Sequence, residues 1–519
     1  MAHELIIIDP QQLQYENEIL KFTILGGIRL EGLDRMRVTI KAEIKSSPRP
    51  PFRHTVDLYN DTQLEKFIRK CAEKLEIGTQ VITASLSELT EKSEQYRLDQ
   101  IKQQTENNKP KIKPLTAAQR EEAINYLAQP NLLQQTKTDI GKSGVTGEEK
   151  NRLLMYVIYT YRKSKTPLHV ICLAGSGTGK THLQEKVGEL IPEEDKIEIT
   201  TLSENAFYYF GQRELKHKLI LIEDLDGAEN VLYPLRELMS KRKISKTIAI
   251  KSKSGETKTI HLIVEGPVAV SGCTTRESIY EDNANRSFLL YLDESKDQDN
   301  AIMDYQRKLR AGKIDTAAEN SIKELFKNCQ RVLEPVRVLN PYAEFLTIPD
   351  EVLKPRRSND HYLSAIEAIT FYHQHQREKK ADENGELFIE VTIEDIEAGN
   401  ELTEEILLRK SDELSGSCRD YLQSISEYVK ENDQKKFTNR EVRKYLKLEP
   451  TKQKRFTKLL LESYYIKRTE GSKAKGYAYE ITSPDEYNQL QSKISGVLAA
   501  NLEKIREYLT HKEPKRKRA

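Results

Sequence analysis

The chain of 519 residues contains no tryptophan and only five cysteines. The cysteines are scattered, with neither the paired spacing of a zinc site nor the density of a disulfide framework, which favours a reducing compartment. They are Cys71, Cys172, Cys273, Cys329 and Cys418. No apolar run approaches the roughly twenty residues of a membrane span, and the first residues lack the basic and apolar regions of a signal peptide. We therefore expect a cytoplasmic protein with no membrane contact.

Charge is abundant but unevenly distributed. Charged residues make up 32% of the chain, yet the net charge is only +2. Between Lys435 and Lys475 there are fourteen Lys or Arg residues against four Glu, and the chain ends in Pro-Lys-Arg-Lys-Arg-Ala. A basic C-terminal region of this kind favours a polyanionic partner. The alternative is a solvated charged surface.

A glycine-rich loop directly follows an apolar run. Residues 174–181 read Ala-Gly-Ser-Gly-Thr-Gly-Lys-Thr, after Leu-His-Val-Ile-Cys-Leu at 168–173. A buried strand, a glycine-rich turn and then a helix are the setting of a phosphate-binding loop, although Ala174 replaces the usual first glycine. The alternative is a glycine-rich turn that ends in Lys-Thr by chance. We predict that ATP is bound by Gly175, Ser176, Gly177, Thr178, Gly179, Lys180, Thr181 and His182.

Within this loop, each residue type has a physical reason. Glycines let backbone N–H groups converge on phosphates without obstruction by Cβ atoms. Lys180 is expected to reach the β- and γ-phosphates and Thr181 to ligate Mg²⁺. The N-terminus of the following helix adds a favourable dipole.

An acidic segment follows a second apolar strand. Leu219 to Ile222 form the strand, and Glu223, Asp224 and Asp226 come directly after it. Carboxylates at the carboxyl edge of a parallel sheet can hold Mg²⁺ and orient or deprotonate an attacking water. We assign Glu223 to the metal and Asp224 to the water. Because the usual order in oligomeric ATPases is Asp then Glu, the reverse assignment and a role for Asp226 stay open.

Three further elements follow in order. Two β-prone runs at 245–251 and 257–264 surround a Ser-Gly turn and predict a hairpin. Residues 267–275 predict a buried strand that ends in hydroxyls at Thr274 and Thr275, and Arg286 directly precedes another strand. From 166 to 292 strands alternate with helices, which predicts an α/β fold, a parallel sheet with helices on both faces.

This order of elements resembles AAA+ ATPases of the pre-sensor-1 hairpin clade, particularly the superfamily 3 and minichromosome-maintenance-like helicases. The resemblance covers about residues 165–380. It implies that Thr274 or Thr275 acts as sensor 1, and that Arg286 is an arginine finger completing the site of a neighbouring subunit, with Arg276 as the competing residue. A finger supplied in trans requires a homo-oligomer, a hexameric ring in this clade.

The same resemblance implies a lid and a channel. In this family a lid helix carries a sensor-2 arginine that contacts the nucleotide, and Arg357 or Arg356 is the candidate for it. The alternative is that these are exposed arginines before a helix, with no role at the nucleotide. The hairpin would bind the phosphates of single-stranded DNA through Lys251, Lys253 and Lys258. Such contacts are strong and do not depend on the DNA sequence. A solvated edge hairpin that uses lysines against aggregation is the alternative.

The basic C-terminal region resembles a winged-helix domain, because a helix, a turn, a second helix and a basic hairpin follow one another between 437 and 481. Such a domain would contact duplex DNA; docking to a protein is the alternative. The DNA-contact candidates are Lys452, Lys454, Arg455 and Lys458 on the second helix and Lys473 and Lys475 in the hairpin.

The predicted domains are therefore an N-terminal α+β domain at 1–105, an AAA+ ATPase core with preceding helices at 116–300, a helical lid at 301–380, a winged helix at 415–483 and a C-terminal helix with a basic tail at 484–519. The N-terminal region resembles segments beside zinc-finger primases of bacterial mobile elements but has no zinc ligands, so we expect a role in oligomerisation, DNA binding or partner binding.

These patterns lead to one hypothesis and two rivals. The leading hypothesis is an ATP- and Mg²⁺-dependent DNA helicase or translocase that serves the replication of a mobile element or phage-like replicon. A primase or another replication protein is expected as a further partner. The first rival is an AAA+ switch or loader that binds DNA without unwinding it. The second is a protein-remodelling ATPase, whose channel loops usually offer an aromatic residue that this hairpin tip lacks.

Overall fold

The computed structural model describes residues 5–30, 35–45, 47–107, 113–175, 177–200, 205–226, 232–251, 257–275, 286–412, 414, 416–472, 476–482 and 485–512. It divides into two compact units, Met1–Ile112 and Lys113–Ala519. None of its described helices is long and apolar enough to cross a bilayer.

The first unit is a five-stranded antiparallel meander with two helices. The strands pair in chain order, and alternate residues such as Val38, Ile40 and Ala42 are buried, the period expected of a sheet with one covered face. Its elements are β1 (Leu5–Asp9), β2 (Gln12–Glu16), β3 (Leu20–Leu25), β4 (Arg37–Ile44), β5 (Phe52–Asp57), α1 (Asp61–Leu75) and α2 (Thr79–Asn107).

Helix α1 shows how local sequence starts and places an element. The Asn60 side chain accepts a hydrogen bond from the backbone N–H of Gln63 and so caps the helix. Phe67, Cys71 and Leu75 recur every four residues and are buried in the core beneath the sheet.

The second unit is built around a parallel five-stranded sheet. Three helices precede the sheet: α3 (Ala117–Leu127), α4 (Leu132–Lys142) and α5 (Glu149–Thr160). The sheet strands are β6 (Val170–Leu173), β7 (Lys196–Ile199), β8 (Leu219–Ile222), β11 (Ala269–Thr274) and β12 (Phe288–Tyr291). Their spatial order is β12-β6-β11-β8-β7, and every pairing is parallel.

Both faces of this sheet are covered. Cys172 of β6 belongs to a core cluster with α5 and with Leu183 of helix α6 (Lys180–Gly188). Its neighbour Leu173 faces a different cluster, with Leu235 and Leu238 of helix α7 (Leu232–Lys241). The predicted parallel sheet with helices on both faces is confirmed.

The hairpin consists of β9 (Lys243–Lys251) and β10 (Thr257–Glu265), and it pairs without a bulge from Lys243↔Glu265 to Lys251↔Thr257. At its base Ile244 and Val264 are buried in the cluster that also contains Phe207. The Lys246 ammonium donates to Asn205 Oδ1 at 2.6 Å. The residues of the turn lie outside the described part of the chain.

The rest of the second unit is mainly helical. It contains α8 (Lys296–Arg310), α9 (Thr316–Val332), β13 (Arg337–Leu339), α10 (Pro355–Tyr372), β14 (Lys380–Ala381), β15 (Leu387–Glu390) and α11 (Ile393–Ser411). A basic C-terminal module of residues 416–481 follows, with α12 (Gly416–Glu431), β16 (Phe437–Thr438), α13 (Asn439–Leu446), α14 (Pro450–Glu462), β17 (Ile466–Ser472) and β18 (Gly476–Ile481). The final helix is α15 (Glu486–Lys512).

Two buried histidines lie beside the sheet and are held neutral. Burial lowers the pKa of His169 to about 4 and that of His361 to about 3. His169 Nδ1 accepts the backbone N–H of Val270 at 3.3 Å, a bond that a proton on that nitrogen would remove. His361 stacks on Phe288, and its Nδ1 lies 3.0 Å from the ammonium of Lys410.

These histidines predict acid sensitivity of the fold. An unfolded imidazole titrates near pH 6.5, so below that pH the unfolded state binds protons that the folded state excludes. The free energy of unfolding should therefore fall as the pH drops from 7.5 to 5, by about 2 kcal/mol for each histidine. In urea unfolding, the free energy of unfolding of His361→Gln should fall less between pH 7.5 and 5 than that of the wild type, by about 2 kcal/mol. An unchanged pH profile in the variant would contradict the assignment.

Candidate nucleotide site

The glycine-rich loop connects β6 to α6, and two of its glycines adopt backbone angles that only glycine tolerates well. Gly177 has φ of +82° and Gly179 has φ of +90°. A Cβ atom added at either position would meet no other atom within 4 Å, so the loop opens onto free space. The open space at these two glycines forms a cradle with room for a polyphosphate to approach the backbone. Ser176 lies outside the described residues.

The ammonium of Lys180 folds back under the loop. It is 8% exposed and donates to the carbonyl oxygens of Ala174 at 2.9 Å and Gly175 at 2.5 Å. The hydroxyl of Thr178 donates to the same Gly175 carbonyl at 2.9 Å. Lys180 therefore lies at the cradle on a flexible stem that can exchange carbonyl partners for phosphate oxygens. Thr181 and His182 follow in the first turn of α6.

Helix α6 is fixed to the sheet by a buried polar network that the sequence did not reveal. The Gln184 amide donates to the Ile222 carbonyl at 3.1 Å and accepts from Ser271 Oγ at 3.1 Å. The hydroxyl of Tyr159 donates to Ser271 Oγ at 2.7 Å. Because unpaired polar groups are costly in a buried position, this network specifies how α5, α6, β8 and β11 fit together.

The acidic residues at the end of β8 have different partners. Glu223 Oε1 accepts from the hydroxyl of Thr200 at 3.0 Å. Asp224 Oδ1 accepts the backbone N–H of Asp226 at 2.8 Å, which closes a tight turn. Neither carboxylate is buried, so both can meet a metal or a water.

Asp226, the spare carboxylate, is bound to the end of β11. Its side chain accepts from the hydroxyl of Thr274, and from the hydroxyl of Thr275 at 2.7 Å and its backbone N–H at 3.1 Å. This engagement favours Glu223 and Asp224 over Asp226 as groups that act on a nucleotide. It also shows that Thr274, which is 2% exposed, is positioned by an acidic residue.

Three of the four candidate arginines are described, and they lie on elements other than the phosphate loop. Arg286 Nε donates to Ser240 Oγ of α7 at 2.7 Å, and its backbone bonds to the buried His361 of α10. Arg357 and Arg356 are both exposed in the first turn of α10. Arg276, the competing finger, lies outside the described residues.

The candidate nucleic-acid contacts are described in part. Lys251 and Lys258 lie where β9 ends and β10 begins, and their side chains are outside the described part of the structure. Lys253, Lys473 and Lys475 are outside it altogether. On α14, Lys454, Arg455 and Lys458 are exposed, whereas Lys452 lies 4.0 Å from the carboxylate of Glu294.

Glu294 is a site residue that sequence reasoning missed. It follows β12, the strand next to β6, and its Oε1 accepts the backbone N–H of Gly175 at 2.8 Å. The sequence held one indication of this role: Glu294 closely follows a predicted strand, and the carboxyl ends of neighbouring parallel strands lie at one edge of a sheet. A pairing between β12 and β6 could not be read from the sequence.

The donor set fits a nucleoside triphosphate with Mg²⁺. The loop offers backbone donors and a lysine, and Thr181 and Glu223 offer oxygen ligands. In the described part of the chain no three His, Cys, Asp or Glu residues cluster as a self-sufficient metal site. Mg²⁺ bound with a nucleotide is held by few protein oxygens together with phosphate and water.

Comparison with known proteins identifies the type of domain that contains the glycine-rich loop. Residues 114–335 match the family described as the MTBMA_p00010 P-loop domain. This chain carries a P-loop domain. Such a domain implies nucleotide binding, and the matched range contains the loop, the acidic residues after β8 and the hairpin.

Two individual proteins are similar over part of their length. The uncharacterized protein MTBMA_p00010 of Methanothermobacter marburgensis is 23% identical over 320 residues, which are 58% of this chain and 38% of that protein. This chain thus spans well under half of that relative. The crystal structure of a full-length MCM homolog from Methanopyrus kandleri is 12% identical, with a TM-score of 0.37, and the match covers 58% of this chain and 63% of that one.

The loop glycines give a testable prediction for the P-loop domain. Alanine at Gly177 or Gly179 would have to adopt a left-handed conformation, at a cost of about 1–2 kcal/mol. The strain should reshape the cradle and weaken binding of a fluorescent ATP analogue by about tenfold or more. Gly312→Ala provides the matched control, because Gly312 has φ of +66° and open space around it at the end of α8. The control should lose similar stability with unchanged nucleotide affinity; equal affinities in all three variants would contradict the assignment.

Proposed function

We propose that this protein is an ATP-dependent DNA helicase or translocase that acts as a ring oligomer in the replication of a mobile element or phage-like replicon. The observation that carries the proposal is the gathering of the P-loop, Glu223 and Thr274 at one edge of the parallel sheet. The same unit also bears a long hairpin, whose sequence has lysines at and near the turn. This combination links hydrolysis to a part that can contact nucleic acid.

In this proposal each site residue has one task. Lys180 and the loop N–H groups hold the phosphates, while Thr181 and Glu223 hold Mg²⁺, which neutralises charge on the transferring phosphoryl group. Asp224 orients or deprotonates the attacking water. Thr274, fixed by Asp226, lies on β11 between the loop strand and the acidic strand, where it can respond to the γ-phosphate.

Arg286 supports the oligomeric part of the proposal. Its Nε donates to Ser240 Oγ of α7, the helix that leads into the hairpin. We assign it as the finger for a neighbouring subunit in a hexamer, where it would stabilise charge developing on the phosphoryl group. Arg357 is the proposed sensor-2 residue.

The hairpin is suited to transmit force. Its base is buried through Ile244 and Val264 and held by the bond from Lys246 to Asn205, so the two strands extend from a fixed base. Lys251, Lys253 and Lys258 at and around its turn are the proposed contacts to single-stranded DNA.

The basic C-terminal module supports a second DNA contact. On α14, Gln453, Phe456 and Leu460 are buried against the module, which leaves Lys454, Arg455 and Lys458 on the outer surface. With the β17–β18 hairpin beside this helix, we propose a winged helix that contacts duplex phosphates.

The alternative is an AAA+ switch or loader that binds DNA and recruits a replication or transposition partner without unwinding. One observation favours it: the basic C-terminal module reaches the phosphate loop through Lys452 and Glu294. Such a contact suits a protein whose nucleotide state controls binding.

Strand displacement tests the two functions. The wild type should unwind a forked DNA duplex when ATP and Mg²⁺ are supplied, and Lys180→Ala should abolish both nucleotide binding and unwinding. ATP-dependent DNA binding by the wild type without strand displacement would overturn the helicase and support the loader.

The hairpin assignment gives a separate prediction. Replacing Lys251 and Lys253 with Gln should remove DNA stimulation of ATP hydrolysis while leaving ATP affinity unchanged, because these residues do not belong to the phosphate loop at 174–181. The matched control replaces two exposed lysines with Gln, Lys308 in α8 and Lys313 just after it. This double variant also loses two positive charges. Stimulation that survives in the hairpin variant, or is lost equally in both, would argue against a channel hairpin.

A further inference from the structure

One carboxylate joins the phosphate loop to the basic C-terminal module. Glu294 Oε1 accepts the backbone N–H of Gly175 at 2.8 Å. Its other oxygen, Oε2, lies 4.0 Å from the ammonium of Lys452, near the start of α14. The first contact is with the phosphate loop. The second is with α14, the helix that carries the exposed Lys454, Arg455 and Lys458.

The same face of the module has further contacts beside this bridge. The ammonium of Lys296, two residues beyond Glu294, lies 5.0 Å from the ring centre of Tyr445 on α13. At the start of α12, Gly416 packs so closely on Tyr291 that a Cβ atom there would lie 2.3 Å from the ring. Tyr291, Glu294 and Lys296 therefore each contact the module, and the ion pair of Lys452 is one of several contacts that place the module beside this segment.

We propose that Glu294 and Lys452 are positioning residues of the nucleotide site, through which a polyanion bound to α14 lowers the affinity of the P-loop for nucleotide. The inference deepens the proposed nucleotide and nucleic-acid binding and rests on both. It moves Lys452 from the predicted DNA-contact surface to the nucleotide site.

Competition for one ammonium is the physical basis of this coupling. With Lys452 beside it, the charge of Glu294 is compensated, and a polyphosphate can enter the cradle next to this carboxylate at lower electrostatic cost. Lys454 and Arg455 lie within three residues on the same helix, so a bound polyanion would also attract Lys452. Once Lys452 turns to the polyanion, Glu294 is left uncompensated beside the incoming phosphates and repels them.

The size and symmetry of the effect follow from the geometry. The side chains of Lys452 and Glu294 are 34% and 40% exposed, so solvent and salt screen the pair and its effect is modest. We expect about a threefold change in nucleotide affinity at low salt. Because binding free energies are linked, nucleotide must weaken polyanion binding by the same factor.

Equilibrium titration of the full chain with a fluorescent ATP analogue, at low salt, tests the inference with heparin as the polyanion. In the wild type, saturating heparin should raise the Kd for nucleotide about threefold. Lys452→Gln should have that raised Kd without heparin and show no further response, and Lys452→Arg should restore the response because it keeps the charge. Glu294→Gln, which keeps an acceptor for Gly175 but no charge, should also lose the response.

Lys447→Gln is the matched control, since it removes one exposed positive charge from the same module at the end of α13. It should keep the heparin response of the wild type. Heparin that weakens nucleotide binding equally in the wild type and in Lys452→Gln would overturn the coupling while leaving the proposed nucleotide binding intact. A wild-type chain that binds no ATP analogue would overturn the proposed function, and the coupling with it.

Discussion

The insertion of β11 between the loop strand β6 and the acidic strand β8 is the constraint on which the candidate site depends. The carboxyl ends of parallel strands lie at one edge of the sheet, so this strand order brings together the P-loop at 174–181, Glu223 and Thr274, which are far apart in the chain. The close fit also has a steric requirement. A Cβ atom at Gly272 of β11 would lie 2.7 Å from Leu225 Cδ1, so the acidic turn can close over β11 only because that position is glycine.

Local sequence was sufficient for those parts of the site that local chemistry determines. The glycines of the loop, the apolar residues of β8 and the paired β-prone runs of the hairpin each specify their own conformation, and the structure forms all three elements. What the sequence could not supply was the partner of each side chain. Asp226 was a spare candidate beside Glu223 and Asp224, and only the structure shows that its carboxylate is bound by Thr274 and Thr275.

The contacts that were missed share one physical property: each joins residues far apart in the chain. Gln184 reaches strands β8 and β11, and Glu294 reaches a loop that precedes it by 119 residues. No periodicity or motif encodes such pairs, because they depend on strand order and on how whole elements pack. Lys452 illustrates the consequence, since its sequence neighbours suggested a nucleic-acid surface while its position in the fold is beside a nucleotide loop.

Two of the contacts that hold the C-terminal module differ in strength and suit different purposes. Arg419 and Asp412 form a doubly hydrogen-bonded pair that is almost fully buried, and Arg419 also lies between the rings of Tyr465 and Tyr487. Breaking a buried pair of this kind costs roughly 3–5 kcal/mol, so it holds structure and cannot be exchanged during a working cycle. The half-exposed pair of Lys452 and Glu294 is worth at most about 1 kcal/mol, which a phosphate group can replace. A contact that couples two sites must break as readily as it forms. The weak pair of Lys452 and Glu294 meets this condition and can therefore couple the loop to the module, whereas the buried pair cannot.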